Sequence, residues 1–174
     1  MIAIVGESGG GKSSVAKALA EEHGYKNVIT YTTRPMRPGE IDGVDYHFVD
    51  ESIFDKMRDS LCLEANYRGW RYGADINDLK DDSVIVLTPS GLRELKRRKI
   101  RFMSVYINVP RRDRLIQLLK RGDDIEEAYR RSLSDVGQFD GVEDEVEIII
   151  NNPKYKKSVE DIVQEVLDKA LQGG

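Results

Sequence analysis

The fold is decided near the start of the chain by the stretch Ile2-Ala3-Ile4-Val5-Gly6-Glu7-Ser8-Gly9-Gly10-Gly11-Lys12-Ser13. Its last eight residues match the pattern GxxxxGK(S/T), with an apolar run before them and a segment of helical period after them. Glycine lets the backbone wrap so that successive N–H groups face one anion, and the start of the following helix adds the positive end of its dipole. The stretch therefore predicts a phosphate-binding loop between a buried strand and a helix.

The lysine and the serine that close this motif have distinct predicted roles. Lys12 is expected to reach the β- and γ-phosphates of a nucleotide, and the Ser13 hydroxyl is expected to bind Mg²⁺ beside phosphate oxygens and water. The alternative is a glycine-rich turn that binds nothing, but chance alone produces the pattern in roughly one chain of this length in a few hundred. The residues predicted to contact the nucleotide phosphates are Gly6, Ser8, Gly9, Gly10, Gly11, Lys12, Ser13 and Ser14.

Beyond the loop, short apolar runs alternate with segments of helical period. The runs cover residues 2–5, 27–31, 83–87, 101–109 and 146–150. Each is too short and too continuously apolar to be a lone amphipathic helix. Helices are predicted over residues 12–22 and 111–120, and a last helix follows Ser158, which forms a capping-box pattern with Asp161. This alternation predicts an α/β protein with a five-stranded, mostly parallel sheet flanked by helices, as in the P-loop NTPase fold.

Two stretches interrupt this alternation. Residues 35–80 contain a loop punctuated by Pro and Gly, a short strand at 46–49, a helix near 52–59 and alternating residues over 61–72 that favour a small antiparallel sheet. Residues 121–145 are densely charged and favour an exposed helix followed by an acidic loop. We therefore predict one domain with a core of residues 1–34, 81–120 and 146–174, an inserted subdomain over 35–80 and a lid over 121–145.

Composition limits the classes of function. The chain has 174 residues, with 27 Lys and Arg against 31 Asp and Glu, and a formal net charge of −4. This balance is ordinary for one globular domain, and the slightly acidic charge disfavours a protein that coats nucleic acid. No apolar run is long enough to span a bilayer, the start lacks a signal-peptide pattern, and Cys62 stands alone. The sequence therefore predicts a cytoplasmic protein whose partners are small molecules or proteins, without binding to nucleic acid or a membrane.

A stretch after the second apolar run distinguishes among phosphate-loop proteins, which include kinases, GTPases and motor ATPases. It reads Thr32-Thr33-Arg34-Pro35-Met36-Arg37-Pro38-Gly39-Glu40, followed by Gly43, Asp45-Tyr46 and Phe48-Val49. This stretch resembles the GMP-binding segment of guanylate kinases. Two arginine forks three residues apart can hold a dianionic phosphate, so Arg34 and Arg37, with the Tyr46 hydroxyl, form the predicted phosphate clamp. The alternative is a solvated basic turn.

The resemblance to guanylate kinases extends in weaker form over essentially the whole chain. The family's base-binding segment resembles Glu64-Ala65-Asn66-Tyr67-Arg68-Gly69 and Tyr72-Gly73. This implies that Glu64 accepts hydrogen bonds from the N1 and N2 protons of guanine and that Tyr72 contacts the phosphate. Asn151, after the fifth apolar run, stands where the family approaches the adenine of ATP. Further residues implied to contact the substrate are Thr30, Thr33 and Thr88.

The sequence departs from the guanylate kinase pattern on the acceptor side. Ala74 stands where the family usually places a Ser or Thr hydroxyl, and Val86 and Thr88 stand where it carries aspartates. The spacing from Glu64 to Gly69 is also one residue shorter than in the family. These departures leave open which base is accepted and which acid supports the metal.

The resemblance implies a nucleoside monophosphate kinase that transfers the γ-phosphoryl group of MgATP to GMP or dGMP. The inserted subdomain would bind the monophosphate, and the lid would close over the site. Arg121 matches the family's arginine at the lid entry, whereas Ser132 stands at the position of the second lid arginine, so we expect Arg131 to substitute for it. The predicted catalytic residues are Lys12, Arg34, Arg121 and Arg131.

Two alternatives stay open on the sequence alone. The first is a kinase for a different nucleoside monophosphate, because Ala74 and Thr88 remove contacts that help define guanine. The second is a guanylate kinase-like module that binds a protein segment. Such modules typically have a damaged phosphate loop, whereas residues 6–13 are intact here. Both a monomer and a homodimer are compatible with the sequence.

Overall fold

A computed structural model describes residues 1–37, 39–67 and 69–172, with residues 67 and 172 described by their backbone alone. The strands are β1 (Ile2–Val5), β2 (Lys26–Asn27), β3 (Tyr31–Thr32), β4 (His47–Phe48), β5 (Leu61–Tyr67), β6 (Trp70–Asp75), β7 (Ser83–Leu87), β8 (Met103–Asn108) and β9 (Ile148–Asn151). The α-helices are α1 (Lys12–Glu22), α2 (Glu51–Lys56), α3 (Pro89–Arg97), α4 (Arg111–Lys120), α5 (Ile125–Asp135) and α6 (Val159–Gln172). None of the helices in these ranges combines the length and the apolar character that a membrane span requires.

Five strands of the described chain form a parallel sheet in the order β2-β7-β1-β8-β9. β1 lies at its centre, with Ile2 opposite Val84 of β7 on one side and Met103 of β8 on the other. The residues of β1 are at most 2% exposed, as expected for a central strand that is covered on both faces. The predicted five-stranded parallel sheet is confirmed. The loop after β1 consequently lies at the carboxyl edge of the sheet, where ligands of open α/β sheets bind.

Both faces of this sheet carry a hydrophobic core. Because side chains alternate along a strand, neighbouring residues of β1 point to opposite faces. Ile4 belongs to a buried cluster with Leu19 of α1 and Val163 of α6. Val5 belongs to a second cluster that includes Leu92 of α3. The two cores fix β1 and the first turn of α1, and therefore the ends of the loop between them.

The chain leaves the parallel sheet after β2 and builds a second sheet in the order β4-β3-β6-β5. The prediction of one strand over residues 27–31 is wrong. β2 pairs with β7 through Lys26 and Asn27, and the next residue, Val28, donates its N–H to the Val84 carbonyl oxygen at 2.8 Å, whereas Tyr31 already pairs with β6 in the second sheet. The change of sheet occurs between these two pairings, ahead of the subdomain boundary predicted at residue 35.

The hairpin of β5 and β6 contains a bulge. Between two matched pairs the register advances by three residues on β5, from Cys62 to Ala65, but by only two residues on β6. The extra residue lies at Leu63 and Glu64, and Leu63 has a left-handed φ of 57°. A bulge interrupts the alternation of a strand and re-aims the side chains next to it. The direction of Glu64 is therefore set by the bulge and not by the regular pleat.

Most predicted helices are present. The helices predicted over residues 12–22 and 111–120 are α1 and α4, and the last predicted helix is α6. Its expected capping box is also present, because the Asp161 N–H donates to the Ser158 hydroxyl at 3.1 Å and the Ser158 N–H donates to the Asp161 carboxylate at 2.9 Å.

Helix α3 is an addition to the predicted elements. The Thr88 hydroxyl caps it by accepting a hydrogen bond from the Gly91 N–H at 3.3 Å, and Pro89 occupies the first turn. Leu92 and Leu95 bury the inner face of the helix. Thr-Pro is a good helix start, since proline has a suitable φ and the missing N–H has no partner there. The segment is short and has few apolar residues, which explains why its period alone does not identify it.

Candidate active site

The predicted phosphate-binding loop, residues 6–13, connects β1 to α1. Gly6 lies so close to β8 that a Cβ atom there would be 2.7 Å from the Ile107 carbonyl oxygen. Gly9 has a φ of 81°, and a Cβ atom there would be 3.2 Å from the Arg114 carbonyl oxygen. Both positions therefore favour glycine, which lets the loop backbone pack directly against β8 and α4.

Lys12 curls back over the loop that precedes it. Its ammonium group donates to the Glu7 carbonyl oxygen at 2.9 Å. Burial lowers the pKa of Lys12 to about 8, and the nearby carboxylates of Asp135 and Glu7 act in the opposite direction. The group is thus mainly charged at pH 7, and the charge of a bound phosphate would raise its pKa further. Lys12 is placed to neutralise an anion held by the loop.

A buried guanidinium supports the loop from behind. Arg114 of α4 is 5% exposed, and it donates to the carbonyl oxygens of Val109 at 2.9 Å and of Ser8 at 3.3 Å. Its terminal nitrogens also reach the carboxylates of Asp135 and Glu7, each at 3.3 Å. Asp135, the last residue of α5, accepts a hydrogen bond from the Ser8 N–H at 2.9 Å. Losing one member of such a buried network would leave the other charges uncompensated, which costs free energy. The members therefore stay together and hold the first half of the loop in place.

Two tyrosine hydroxyls add contacts to the same loop. Tyr106 of β8 donates to the Glu7 carboxylate at 3.1 Å, and Tyr155 donates to the Gly9 carbonyl oxygen at 2.6 Å. Burial and the charge of Glu7 raise the pKa of Tyr106. Its hydroxyl therefore remains a hydrogen-bond donor across the physiological pH range.

Arg34 is the buried arginine of the second predicted phosphate site. It is 6% exposed, and its guanidinium donates to both oxygens of the Glu40 carboxylate, at 2.8 and 2.9 Å. The guanidinium also lies 5.2 Å from the ring centre of Tyr46 and 5.4 Å from that of Phe48. Burial acts against ionisation of Glu40, but hydrogen bonds from Arg34 and from the Arg37 N–H hold the pKa of Glu40 below its usual value. A carboxylate of the chain thus occupies the fork that is predicted to bind a phosphate.

Arg37, from the same loop, is paired with α5. Its guanidinium lies 3.1 Å from one oxygen of Glu127, and the same oxygen accepts a hydrogen bond from Arg131 at 2.9 Å. Arg131 also donates to Asp123 at 3.0 Å. Arg121 pairs with Asp123 at 2.7 Å, and its side chain is 60% exposed. The structure therefore brings Arg37 and Arg131 together around one carboxylate, and it leaves Arg121 at the surface.

Glu64, the predicted reader of the base, has a charged neighbour. Its carboxylate lies 3.6 Å from the guanidinium of Arg71. Arg71 is anchored elsewhere, since it donates to Asp55 of α2 at 2.6 Å. Tyr72 follows Arg71 in β6, and its ring centre lies 6.0 Å from that of Tyr46. Tyr72 and Tyr46 are therefore together, whereas Glu64 shares its carboxylate with Arg71.

Other residues predicted to contact substrate also take part in the fold. The Thr33 hydroxyl accepts from a backbone N–H of β6 at 3.0 Å, and the Thr30 carbonyl oxygen accepts from a backbone N–H of β4 at 2.9 Å. The Thr88 hydroxyl caps α3. Asn151, at the end of β9, is exposed and accepts a hydrogen bond from the Asn108 side chain at 3.0 Å. These contacts fix where the residues lie and leave their predicted contacts with nucleotides as predictions.

Ser13 is the predicted protein ligand of Mg²⁺. Ser13 and Ser14 lie in the first turn of α1 with exposed side chains. In the part of the chain that the structure describes, no three His, Cys, Asp or Glu side chains group into a metal site. Mg²⁺ in phosphoryl-transfer sites is commonly bound by one or two protein oxygens together with substrate phosphates and water. The accessible Ser13 hydroxyl fits this coordination.

Comparison with known proteins decides the family. The family model for guanylate kinase matches residues 1–170. The chain belongs to the guanylate kinase family. Guanylate kinase from Nitrosococcus oceani is 34% identical over 142 residues, which cover 76% of this chain and 70% of that protein. Guanylate kinase from Pseudomonas syringae pv. tomato is 30% identical over 181 residues, which cover 91% of this chain and 83% of that protein.

The fold of this guanylate kinase family member is also found in a solved structure. The crystal structure of guanylate kinase from Anaplasma phagocytophilum superposes with a TM-score of 0.69 and 19% sequence identity, over 99% of this chain and 85% of that one. At this level of identity the likeness concerns the fold. Together with the parallel sheet around β1, it confirms the predicted P-loop NTPase fold.

This guanylate kinase family member also has residues in its site that the sequence analysis does not identify. Arg114 and Asp135 support the phosphate loop, and Glu127 pairs with two predicted arginines. Arg114 carries a signal in the sequence, because it precedes Leu118 by one helical turn and shares its buried face, where a charge is unusual. Glu127 and Asp135 carry none, because they look like ordinary acids of an exposed helix and their partners are distant in the sequence.

Proposed function

We propose that the chain transfers the γ-phosphoryl group of ATP to GMP or dGMP, with residues 6–14 holding ATP and the loop around Arg37 holding the acceptor phosphate. The position of α5 carries this proposal, because the helix contacts both loops. Asp135 accepts a hydrogen bond from the phosphate loop, and Glu127, eight residues earlier, pairs with Arg37. At about 1.5 Å of rise per residue, these contacts lie about 12 Å apart along the helix. The same helix therefore contacts both loops, which would allow it to couple the two phosphate sites.

The proposal gives each part of the chain a role. Residues 35–80, with β3, would form the subdomain that binds the monophosphate, and residues 121–145 would form the lid. The rest of the chain would form the core that carries the phosphate loop. Closure of the lid would keep water away from the γ-phosphoryl group and so limit hydrolysis of ATP.

The proposed transfer needs no covalent intermediate. An oxygen of the acceptor phosphate attacks the γ-phosphorus, a new P–O bond forms while the bond to the β,γ-bridging oxygen breaks, and ADP and GDP are the products. The acceptor phosphate is mostly a dianion at pH 7, since its second pKa is about 6, so no base has to remove a proton. The protein then contributes position and positive charge.

The basic residues would divide this task. Lys12 would neutralise the β- and γ-phosphates, Arg34 and Arg37 would orient the acceptor, and Arg131 would stand over the migrating group, with Arg121 approaching from the lid. Mg²⁺ bound through Ser13 would screen the charge of the ATP phosphates.

A second candidate is transfer to a different nucleoside monophosphate. The observation in its favour is the contact of Glu64 with Arg71, together with the buried Ala74, which brings no hydroxyl to the sheet. A free carboxylate suits guanine, because guanine presents two adjacent N–H donors on one edge. A carboxylate that is shared with a guanidinium accepts these donors less well, so base selection has to be measured.

The experiment is a coupled ADP-release assay with MgATP against GMP, dGMP, AMP, CMP, UMP and TMP. We expect turnover with GMP and dGMP only, and a loss of turnover in Lys12→Ala. Preferred turnover of another monophosphate would replace the proposed acceptor. Absence of turnover with all six, together with absence of MgATP binding in calorimetry, would favour a protein-binding module.

A further inference from the structure

Glu127 lies on α5, in the predicted lid, at the point where this helix meets the loop around Arg37. We call that loop the acceptor loop. One of the Glu127 carboxylate oxygens is 3.1 Å from Arg37 and 2.9 Å from Arg131. The other oxygen is 3.3 Å from Arg130. The Glu127 side chain is 24% exposed, so most of it is enclosed. The carboxylate is thus bound by arginines from two separate parts of the chain.

The contact with Arg37 differs in kind from the other two. Arg130 and Arg131 follow Glu127 by three and four residues on the same helix, where such pairs form readily and stabilise little. Arg37 belongs to the loop that follows β3, so its pair with Glu127 connects two segments that are far apart in the sequence. This long-range pair is the one with a functional consequence.

Charge explains why a carboxylate is found there. Arg37 lies near both Arg131 and Arg34, and burial together with these two positive neighbours lowers the pKa of Arg37. Such a cluster of cations is favourable only with anions among them. Glu40 supplies one anion to Arg34, and Glu127 supplies another to Arg37 and Arg131. A carboxylate and a phosphate offer the same paired oxygen acceptors to a guanidinium.

We propose that Glu127 is an internal ligand of Arg37 and Arg131, which the phosphate of the nucleoside monophosphate has to displace. This inference rests on the proposed function, since it assumes that the acceptor phosphate binds to Arg37. A dianionic phosphate bound to Arg37 would lie beside the Glu127 carboxylate, and the two anions would repel each other. The phosphate and Glu127 therefore do not bind the arginines at the same time. Arg130, whose side chain is 64% exposed, offers the displaced carboxylate a partner on the same helix turn.

The alternative role for Glu127 predicts the opposite sign. If Glu127 only held Arg37 and Arg131 in position for the phosphate, removing its charge would weaken binding of the monophosphate. If it competes with the phosphate, removing its charge strengthens binding. The direction of the change therefore separates a competing ligand from a supporting residue.

The test is titration calorimetry of GMP into the nucleotide-free protein, comparing wild type with Glu127→Gln. Glutamine keeps the size of the side chain and removes its charge. We expect the Kd for GMP to fall about fivefold, as follows from removing one partly exposed competing ion pair. The KM for GMP should fall in parallel, while the KM for MgATP should change less than about twofold.

Glu126→Gln is the matched control, because it makes the same change of charge one residue earlier on α5, at an exposed position. We expect its Kd for GMP to stay within about twofold of the wild-type value. Glu127→Asp provides a second test, since the shorter side chain keeps the charge but reaches Arg37 less well, and it should also bind GMP more tightly.

Unchanged or weaker GMP binding in Glu127→Gln overturns the inference, provided that the thermal unfolding midpoint matches that of wild type. A failure of the proposed function gives a different result, because then GMP binds to none of the proteins. Titration with inorganic phosphate still reports on Glu127 in that case, and phosphate binding that does not improve in Glu127→Gln overturns the inference as well.

Discussion

The loop at residues 6–13 and the loop around Arg34 and Arg37 both present positive groups for a phosphate, but they are held in different ways. The first is contacted by the buried side chains of Arg114 and Asp135, which bind the Ser8 carbonyl oxygen and the Ser8 N–H of its backbone. The second is held by carboxylates that bind the very arginines intended for the ligand. Under the proposed function, the donor site is thus prepared by contacts to its backbone, whereas in the acceptor site the phosphate would replace carboxylates that already bind the arginines.

This comparison has a physical basis in the groups used. Backbone N–H groups carry partial charges, which a buried frame can hold in place at little electrostatic cost. Full cations close to one another repel, so they need counter-ions when the ligand is absent. Five predictions test the two sides of this contrast, in order of decreasing expected effect.

Lys12→Ala tests the donor side most strongly. Removal of the one lysine of the loop takes away the positive charge that would neutralise the transferred phosphoryl group, and we expect the turnover number to fall by about 10²–10³-fold in the ADP-release assay. Lys17→Ala is the control, because Lys17 lies on the same helix, is exposed and pairs only with Glu21 among the ion pairs of the described residues. Retention of more than a few per cent of turnover in Lys12→Ala contradicts the role of Lys12.

Arg34→Lys tests the acceptor side. Lysine keeps the charge but loses the fork that binds two oxygens, so we expect the KM for GMP to rise about ten- to hundredfold while the KM for MgATP changes little. Arg93→Lys is a matched control outside the site, since Arg93 forms a similar forked pair with Glu145 at the surface. Equal effects on the two substrates would remove the distinction between the two loops.

The pKa of Lys12 predicts a pH dependence on the donor side. With a pKa of about 8, the charged fraction falls from about nine-tenths at pH 7 to about one-tenth at pH 9, and MgATP affinity should fall about tenfold over that range. Calorimetry at several pH values measures this. In Lys12→Arg the decline should be absent, because arginine stays charged.

The same titration has the opposite effect on stability. Lysine in the unfolded chain has a pKa of about 10.4, so between pH 8 and 10.4 the unfolded state binds more protons than the folded state at Lys12. The contribution of this group to the free energy of unfolding therefore rises with pH in that window, while nucleotide affinity falls. If nucleotide affinity and the free energy of unfolding both declined as pH rises, loss of the fold would explain the lower affinity and titration of Lys12 would not.

Asp135→Asn tests the buried contacts of Arg114 and Asp135 that support the phosphate loop. Its expected effect is the smallest of the series. Asparagine can still accept from the Ser8 N–H but no longer neutralises Arg114. We expect the KM for MgATP to rise about fivefold, with the KM for GMP within about twofold. Asp140→Asn, at an exposed position outside the network, is the control. An equal rise in both KM values would show that the frame does not belong to the donor site alone.

The parallel sheet and the phosphate loop are predictable from sequence because their signals are local. The run of residues 2–5 is apolar throughout and is followed at once by the glycines and Lys12, so strand, loop and helix start are all encoded in neighbouring residues. The family follows from fixed identities around Arg34 and Arg37 in the same way. The fold confirms the predicted sheet, and the family match confirms the predicted family.

The errors arise where pairing with distant residues decides the outcome. Residues 27–31 look like one strand in the sequence. In the structure, however, the neighbouring strand changes from β7 to β6 within that stretch. The period of the sequence contains no information about such a change of partner. The partners of Arg114 and Glu127 are likewise set by the approach of α4 and α5 to loops far away in the chain. The predicted lid shows the same limit of sequence analysis, because distant partners set its contacts. Ser132 accepts a hydrogen bond from Arg111 at 2.7 Å, whereas Arg131 shares the Glu127 carboxylate with Arg37.

Because of the bulge in β5, a change in the length of the hairpin can redirect its side chains without any change in their identity. In a regular strand, insertion or deletion of one residue turns every following side chain to the other face. Here one extra residue at Leu63 and Glu64 already breaks the alternation, so deletion of one of them would restore a regular ladder between β5 and β6. If Glu64 reads the base, as the proposed function holds, deletion of Leu63 alone would change the direction of Glu64 and with it the base preference, without replacing any residue assigned to the substrate.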